Sequence, residues 1–364
     1  MKTNTWGILL IVLAIVVGGL YVASRTGAPE KTGVIKIGLI LPLTGDLAFI
    51  GEAGKNAAEL ALEEVNADAS NTHQYELVIE DDGFDAKRTA GAISKLVSID
   101  KVDVVVSVST GGGNVVAPIA EENELPHIGL ASDVNVAKGK YNFIHWTRPQ
   151  EEVDVMLAEL KRRGLTKVVI MGANDSGFPA ITNDLVAKAP GAGIEIVRNV
   201  EFLPGITDFK TLIAEAKTAN PDAYILNAFS PELEILGKQM QDLGVEAPVT
   251  SIESFGLSNN PGIFEGEWFV DSAITTGGFN DAYRAKLNKE PGPTSGNIYD
   301  AVHLLVRAVE ATEKESPTGA EVVEKLNKTE GYSGAFGPLT LGSEGEFIST
   351  PSVKVIKDGK PVLP

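Results

Sequence analysis

The chain has 364 residues, no cysteine and a formal net charge of −18, from 49 acidic against 31 basic side chains. Its length suggests two domains. The missing thiols exclude disulfides, thiolate chemistry, cysteine metal sites and a lipid-modified cysteine. The acidic charge is spread along the chain, which reads as a solvated surface and argues against nucleic acid as a partner.

The first element is Trp6 to Ala23, an uncharged run of 18 residues between Lys2 and Arg25. A signal peptide has an apolar stretch of about 7–15 residues and a spanning helix needs roughly 17–25, so the run fits either a membrane anchor or a removed signal. With Lys2 on the cytoplasmic side, the rest of the chain is exported, to a periplasmic or extracellular location. Without lipid, residues 6–23 are the means of holding the protein to a membrane. Ser24 to Thr32 is a polar linker.

From Val34 onward, strand and helix alternate with short loops, the pattern of parallel α/β sheets. Strands are expected at Val34–Leu41, Tyr75–Asp81, Val102–Val108, His127–Leu130, Lys167–Gly172, Ile194–Glu201, Ala223–Ala228, Val249–Ile252 and Glu267–Ala273. Helices fall between them, at Asn56–Asn66 and Ala86–Ile99 by apolar spacing, as in Ala57, Leu60, Ala61 and Val65. The loop Pro42–Gly51 carries Pro42, Thr44, Gly45 and Asp46, so its backbone is expected to bend and leave amide donors free. A second α/β run starts at Lys167, a strand-free helical stretch (281–289 and 297–313) follows Ala273, and a glycine-rich ending starts at Gly331.

No catalytic set is present in the sequence: there is no G-x-S-x-G and no H-E-x-x-H. His73, His127, His145 and His303 have no metal-ligand spacing, and His127 in its strand reads as a satisfied buried or edge residue. Gly54-Lys55-Asn56 resembles the end of a phosphate loop, but Phe49 and Asn56 replace the leading glycine and the magnesium hydroxyl. The expectation is a binding protein, not an enzyme, with no cofactor and no metal.

The loops that follow strands carry the polar chemistry. Ser109, Thr110 and Gly111 precede an expected helix at Val115–Glu122, and hydroxyls with glycine amides at a helix start suit a carboxylate. The alternative is an ordinary turn. Ala131, Ser132 and Asp133 end the next strand, where Asp133 either faces a ligand or caps a helix. In the second half, Phe229 and Glu253 lie at strand ends; Phe229 suits an apolar side chain and Glu253 an ammonium group, or a surface position. Several such loops converging between two lobes make a cleft site.

The opening segment, the Ser-Thr-Gly loop, Asn227–Glu232 (NAFSPE), Ser251–Ser254 (SIES), Tyr299–Leu305 (YDAVHLL) and the ending Gly331–Phe347 resemble, in order and spacing, the type I periplasmic binding proteins of the Leu/Ile/Val-binding group. These are substrate-binding components of amino-acid ABC transporters. The resemblance runs from Val34 to Gly359. It implies two Rossmann-like lobes with a three-crossover hinge: 33–147 with 276–330, and 148–275 with 331–364, after an anchor or signal over 1–32. It also implies interlobe closure on a small ligand, an amino acid first of all, and an ABC permease as partner. By the same resemblance Thr110 and Gly111 receive the ligand carboxylate, the Ala131 carbonyl and Glu253 meet the ammonium, and Phe229 matches a pocket tyrosine. Asp133 replaces the usual threonine. Asn174-Asp175-Ser176-Gly177-Phe178 lacks the family tyrosine, leaving Phe178 to compensate, and Ile50 stands where a tyrosine often borders the pocket. An extracellular sensor of the same fold, or a binder of an amide or aromatic acid, are the alternatives.

Overall fold

The computed structural model describes residues 31, 33–175 and 177–364. The apolar run 6–23 lies outside the described residues, and among those described no helix is long and apolar enough to cross a membrane.

Two parallel sheets form the frame. The first has the order β2-β1-β3-β4-β5, from β1 (Val34–Leu41), β2 (Gln74–Asp81), β3 (Val104–Val108), β4 (His127–Leu130) and β5 (Asn142–Ile144). β3 is buried throughout and β1 from Ile37 onward, as apolar runs covered on both faces must be. One face packs on α1 (Ala48–Ala67), whose Ala58, Ala61 and Val65 meet Ile37 and Leu39. The other face, with Ile40 and Val105, meets α2 (Ala86–Lys95) and α3 (Thr110–Glu122).

The second sheet has the order β7-β6-β8-β9, from β6 (Lys167–Ala173), β7 (Glu195–Phe202), β8 (Ala223–Asn227) and β9 (Val249–Thr250). Around it pack α4 (Pro149–Arg163), α5 (Phe178–Ala192), α6 (Lys210–Lys217) and α7 (Glu232–Asp242). After β10 (Trp268–Asp271) the chain returns to the first core through α8 (Gly277–Leu287), α9 (Ser295–Glu310) and α10 (Gly319–Leu326). The four two-residue strands β11 (Ser333–Gly334), β12 (Gly337–Pro338), β13 (Thr340–Leu341) and β14 (Phe347–Ile348) follow. Finally β15 (Ser352–Lys357) pairs antiparallel with β10 and with β16 (Lys360–Val362).

The packing moves one expected boundary. Tyr332, Leu339 and Phe347 are buried in the first core, so the glycine-rich segment stays there and the chain recrosses after β14, not at Gly331. The crossings at 145–148, 272–276 and 349–351 lie side by side: Thr147 Oγ1 and Ser349 Oγ are 3.0 Å apart, and Ser352 Oγ donates to the Ser272 carbonyl at 3.3 Å.

Two helix starts also differ from the periodicity. α1 begins at Ala48 instead of Asn56, because Ile50 and Ala53 turn inward and extend the buried stripe. α3 begins at Thr110 rather than Val115, so the glycines form its first turn. The strand β5 went unread, since three residues are too few to show a period.

Candidate functional site

In both sheets the strand order reverses between the first and the third strand in chain order, β1/β3 and β6/β8. Loops leaving the carboxyl ends of those strands diverge there and open a crevice. The two crevices face each other, and the cleft between them, about 520 Å³, draws on both lobes.

On the first lobe Ser109, Thr110 and Ser132 line the cleft. Ser109 is the N-cap of α3, its Oγ accepting from the Gly112 amide at 2.9 Å and its carbonyl from Gly113 at 2.9 Å. The preceding amides, of Thr110 and Gly111, belong to the helix start, which leaves its first donors without intrahelical acceptors. The Thr110 hydroxyl accepts from the Ser132 amide at 3.2 Å and lies 3.4 Å from the Ser132 hydroxyl, tying the two loops together.

On the second lobe Glu253 is the polar group, only 4% exposed. It sits in a turn held by Ala228 N–H donating to Ser254 Oγ (3.2 Å) and Phe255 N–H donating to Ser251 Oγ (3.0 Å). The indole Nε1–H of Trp146, from the first crossing, donates to Glu253 Oε1. Burial pushes the Glu253 carboxyl up to about 7, against hydrogen bonds with Glu152 and Trp146 that pull it down; Asp271 adds to the rise.

Between the poles the wall is apolar: Ile50, Phe84, Val108, Leu130, Phe178, Phe229 and Leu257. Phe229 packs against Phe178 (ring centroids 4.7 Å) and meets Phe84 from the opposite lobe edge-on at 5.1 Å. A hinge-side cavity of about 900 Å³ shares Trp146, Leu257 and Thr294 with the cleft.

Ten non-glycine residues among those described have φ in the left-handed region, and four of them line the cleft: Phe84, Ser109, Glu253 and Thr294. The other six are exposed. Such backbone persists only where surrounding structure over-determines it, and it concentrates at binding sites.

Of the residues singled out from sequence, Ser109, Thr110, Ser132, Phe178, Phe229 and Glu253 line the cleft. Gly111 and Ala131 are beside it in the backbone but are not in its wall. Asp133 points elsewhere: its Oδ1 accepts from the Asn135 amide (2.9 Å) and side chain (2.7 Å), capping a short helical turn over Val134–Ala137. In the loop after β1, Asp81 takes two of the amide donors and a hydroxyl. Leu43 N–H and Thr44 N–H donate to Asp81 Oδ1 at 2.8 and 3.2 Å, and Thr44 Oγ1 donates to Oδ2 at 2.7 Å. His127 is buried and bonded to Ser107 Oγ (2.8 Å) and Asn142 Oδ1 (2.9 Å), with burial holding its pKa down at about 4.

Sequence reasoning missed Phe84, Trp146, Leu257 and Thr294. Phe84 had a usable signal, an Asp-Asp-Gly-Phe turn at the carboxyl end of β2. The other three come from crossings and turns without periodic pattern.

A family model described as "Periplasmic binding protein" matches residues 34–353. The chain belongs to the type I periplasmic binding proteins of the Leu/Ile/Val-binding family. Among its relatives are a Leu/Ile/Val-binding protein of Rhizobium johnstonii, 27% identical over 350 residues (90% of this chain, 93% of that one). A Leu/Ile/Val-binding protein homologue of Brucella melitensis is 28% identical over 347 residues, covering 90% and 92%. Among solved structures, the branched-chain amino-acid transporter substrate-binding protein of Streptococcus pneumoniae, in complex with isoleucine, superposes with a TM-score of 0.80 at 25% identity, covering 91% of this chain and 100% of that one. A leucine-binding protein of Thermotoga maritima shares the fold (TM-score 0.82, 24% identity, 91% and 97% covered). The family is one of solute-binding proteins rather than enzymes, and it places this binding protein outside the cytoplasm.

Proposed function

We propose that this periplasmic binding protein captures an α-amino acid with an apolar side chain between its lobes and presents it to an ABC permease. The observation that carries the reading is the opposition of two poles across an apolar wall. Ser109, Thr110, Ser132 and the start of α3 suit a carboxylate, while the buried Glu253 on the other lobe suits an ammonium group. Relatives named as Leu/Ile/Val-binding proteins and the isoleucine complex of a structural neighbour support the same class. The mechanism is closure: each lobe supplies one pole, so ligand favours the closed arrangement by its differential affinity. Residues 6–23 hold the protein to the membrane in this reading, and mass spectrometry of the native amino terminus tests that part. A mature start beyond Ala23 refutes it.

One observation favours a second ligand class. Trp146 already donates to Glu253, so the acid has a partner without any ammonium, and an apolar or aromatic acid lacking an amino group fits the same wall. A thermal-shift screen of amino acids against their deaminated acids separates the two, because ligand bound only to the folded form raises the melting temperature. Shifts with leucine, isoleucine or valine support the amino-acid reading. Shifts confined to acids without an amino group overturn it.

A further inference from the structure

Behind Glu253 lies a second carboxyl group that no ligand can reach. Glu152, in the first turn of α4, has no exposed surface, and both of its carboxyl oxygens are buried without a donor from any other side chain or amide. Its neighbours are acidic. Glu253 is within hydrogen-bonding reach, and Asp271 of β10 lies beside the same turn, where its Oδ2 would be 2.3 Å from a Cβ placed at Gly256. The cation present, Lys354 of β15, is engaged by Asp271, Nζ to Oδ2 at 3.0 Å. Arg148, one turn before Glu152, pairs with Glu151 and Glu346, and Lys188 of α5 pairs with Asp154 and Asp184. No group of acids or histidines among the described residues has the geometry to hold a metal ion.

Two buried carboxylates in hydrogen-bonding contact cannot both be ionised without a counter-charge; one must carry a proton and donate it to the other. Trp146 donates to Glu253 and not to Glu152, which makes Glu253 the acceptor and Glu152 the donor.

We propose that Glu152 is a positioning and specificity-determining residue that stays a neutral carboxylic acid and donates a hydrogen bond to Glu253. The pair then presents one negative charge, matched to one ammonium group, and the Glu253 carboxylate is oriented by two donors, Trp146 from the crossing and Glu152 from α4. The direction of the Glu152 titration agrees: burial first and then the Glu253 charge push its carboxyl well above the usual range. This inference rests on the amino-acid reading above for its affinity test, but not for its spectroscopic one.

The experiment compares wild type with Glu152→Gln and Glu152→Leu. Glutamine keeps a donor; leucine removes it. Leucine or isoleucine affinity is measured by calorimetry from pH 6 to 9, alongside infrared spectra of the ligand-free protein at pH 7.5. The expected result is a Glu152→Gln affinity within about threefold of wild type, since a neutral donor replaces a neutral donor. Glu152→Leu should bind about tenfold more weakly at neutral pH, with the midpoint of its pH dependence shifted up by about one unit, since Glu253 has lost a donor that favoured its ionised form. A structural role alone leaves that midpoint where it was. The wild-type spectrum should show a protonated-carboxyl band that Glu152→Gln abolishes. An affinity loss above tenfold in Glu152→Gln, an unmoved midpoint in Glu152→Leu, or an infrared band unchanged by Glu152→Gln each overturns the proposal. If no amino acid binds wild type at any pH, the ligand reading fails and the infrared comparison still decides the state of Glu152, including where the leucine variant does not fold.

Discussion

Replacing Glu253 by glutamine tests the second-lobe pole with little change of shape. The amide oxygen can still accept from Trp146 Nε1, so what the substitution removes is the charge. Removing one partner of a buried ion pair costs about 3–5 kcal/mol. Because Trp146 remains as a donor to the site, the loss for an amino-acid ligand is set lower, at about 2–4 kcal/mol, a rise in Kd of roughly 30- to 700-fold. The pH dependence supplies a second, independent signature. With the Glu253 carboxyl raised to about 7, ammonium binding requires a proton to leave as pH falls below that value. Wild-type affinity should weaken by about tenfold per unit below neutrality and level off above it, while Glu253→Gln should be flat. Stability carries the opposite sign. A carboxyl whose folded pKa is raised contributes stability that is complete below about 4.5, its unfolded value, and is lost as pH rises through about 7. The ligand-free wild type should therefore lose thermal stability from pH 5 to 8 relative to Glu253→Gln. Isothermal titration calorimetry at four pH values and thermal melts of the apo protein measure both effects. A variant with affinity within twofold of wild type and the same pH profile would refute the assignment of Glu253 to the ammonium.

Three further outcomes follow from the packing. Gly51→Ala places a Cβ 2.0 Å from the Pro42 carbonyl oxygen and 2.5 Å from its carbon, so α1 and the loop after β1 must separate; the cost should reach about 2–4 kcal/mol in denaturant unfolding. Unchanged stability would show that the loop moves freely. Phe229→Ala removes ring contacts to Phe178 and to Phe84 across the cleft, each worth about 0.5–1.5 kcal/mol beyond area, and should weaken ligand and enlarge the radius of gyration of the ligand-bound form in X-ray scattering. An equally compact, equally tight complex would exclude a closure role. Burial alone would raise Glu310, but hydrogen bonds from Tyr75, Thr72 and His73 bring its carboxyl down to about 2; the stability it contributes is present above about 4.5 and lost as pH falls towards 2. Since the side chain is partly exposed, that contribution is on the order of 1 kcal/mol, and Glu310→Gln should remove this part of the acid limb in pH-dependent melts.

The fold was legible because its signal is redundant. Runs such as Val34–Leu41, Val104–Val108 and Ala223–Asn227 are apolar but for Lys36, Ser107 and Asn227, as strands covered on both faces tend to be, and each ends in a turn-rich loop. The place of Ser109 and Thr110 was legible for the same reason: they follow such a run, start a helix and line the cleft. Asp133 was ambiguous in principle, because the short carboxylate that suits a ligand also suits the amide of the residue two positions on, and the local bond to Asn135 won. Glu152 left no trace in sequence. It stands between Glu151 and Val153 on an ordinary acidic first helical turn, and it is buried where α4 packs against β10 and β15. Trp146 follows a three-residue strand whose pairing depends on β4.

The Trp146–Glu253 bond also bears on what the cleft selects. An ammonium that docks on Glu253 adds a charge-assisted hydrogen bond, about twice as strong as a neutral one, to an acid already accepting from an indole. A ligand without an ammonium leaves that acid with the indole as its donor, and while the raised carboxyl stays protonated no unpaired charge penalises the complex. In the proposed reading Ser109 and Thr110 would meet the carboxylate that both ligand classes share. Discrimination between them is therefore a difference generated at one carboxyl group, and it grows with pH as that group ionises. Below neutrality the two classes should converge in affinity; above it the amino acid should lead, by a margin that the donors to Glu253 tune.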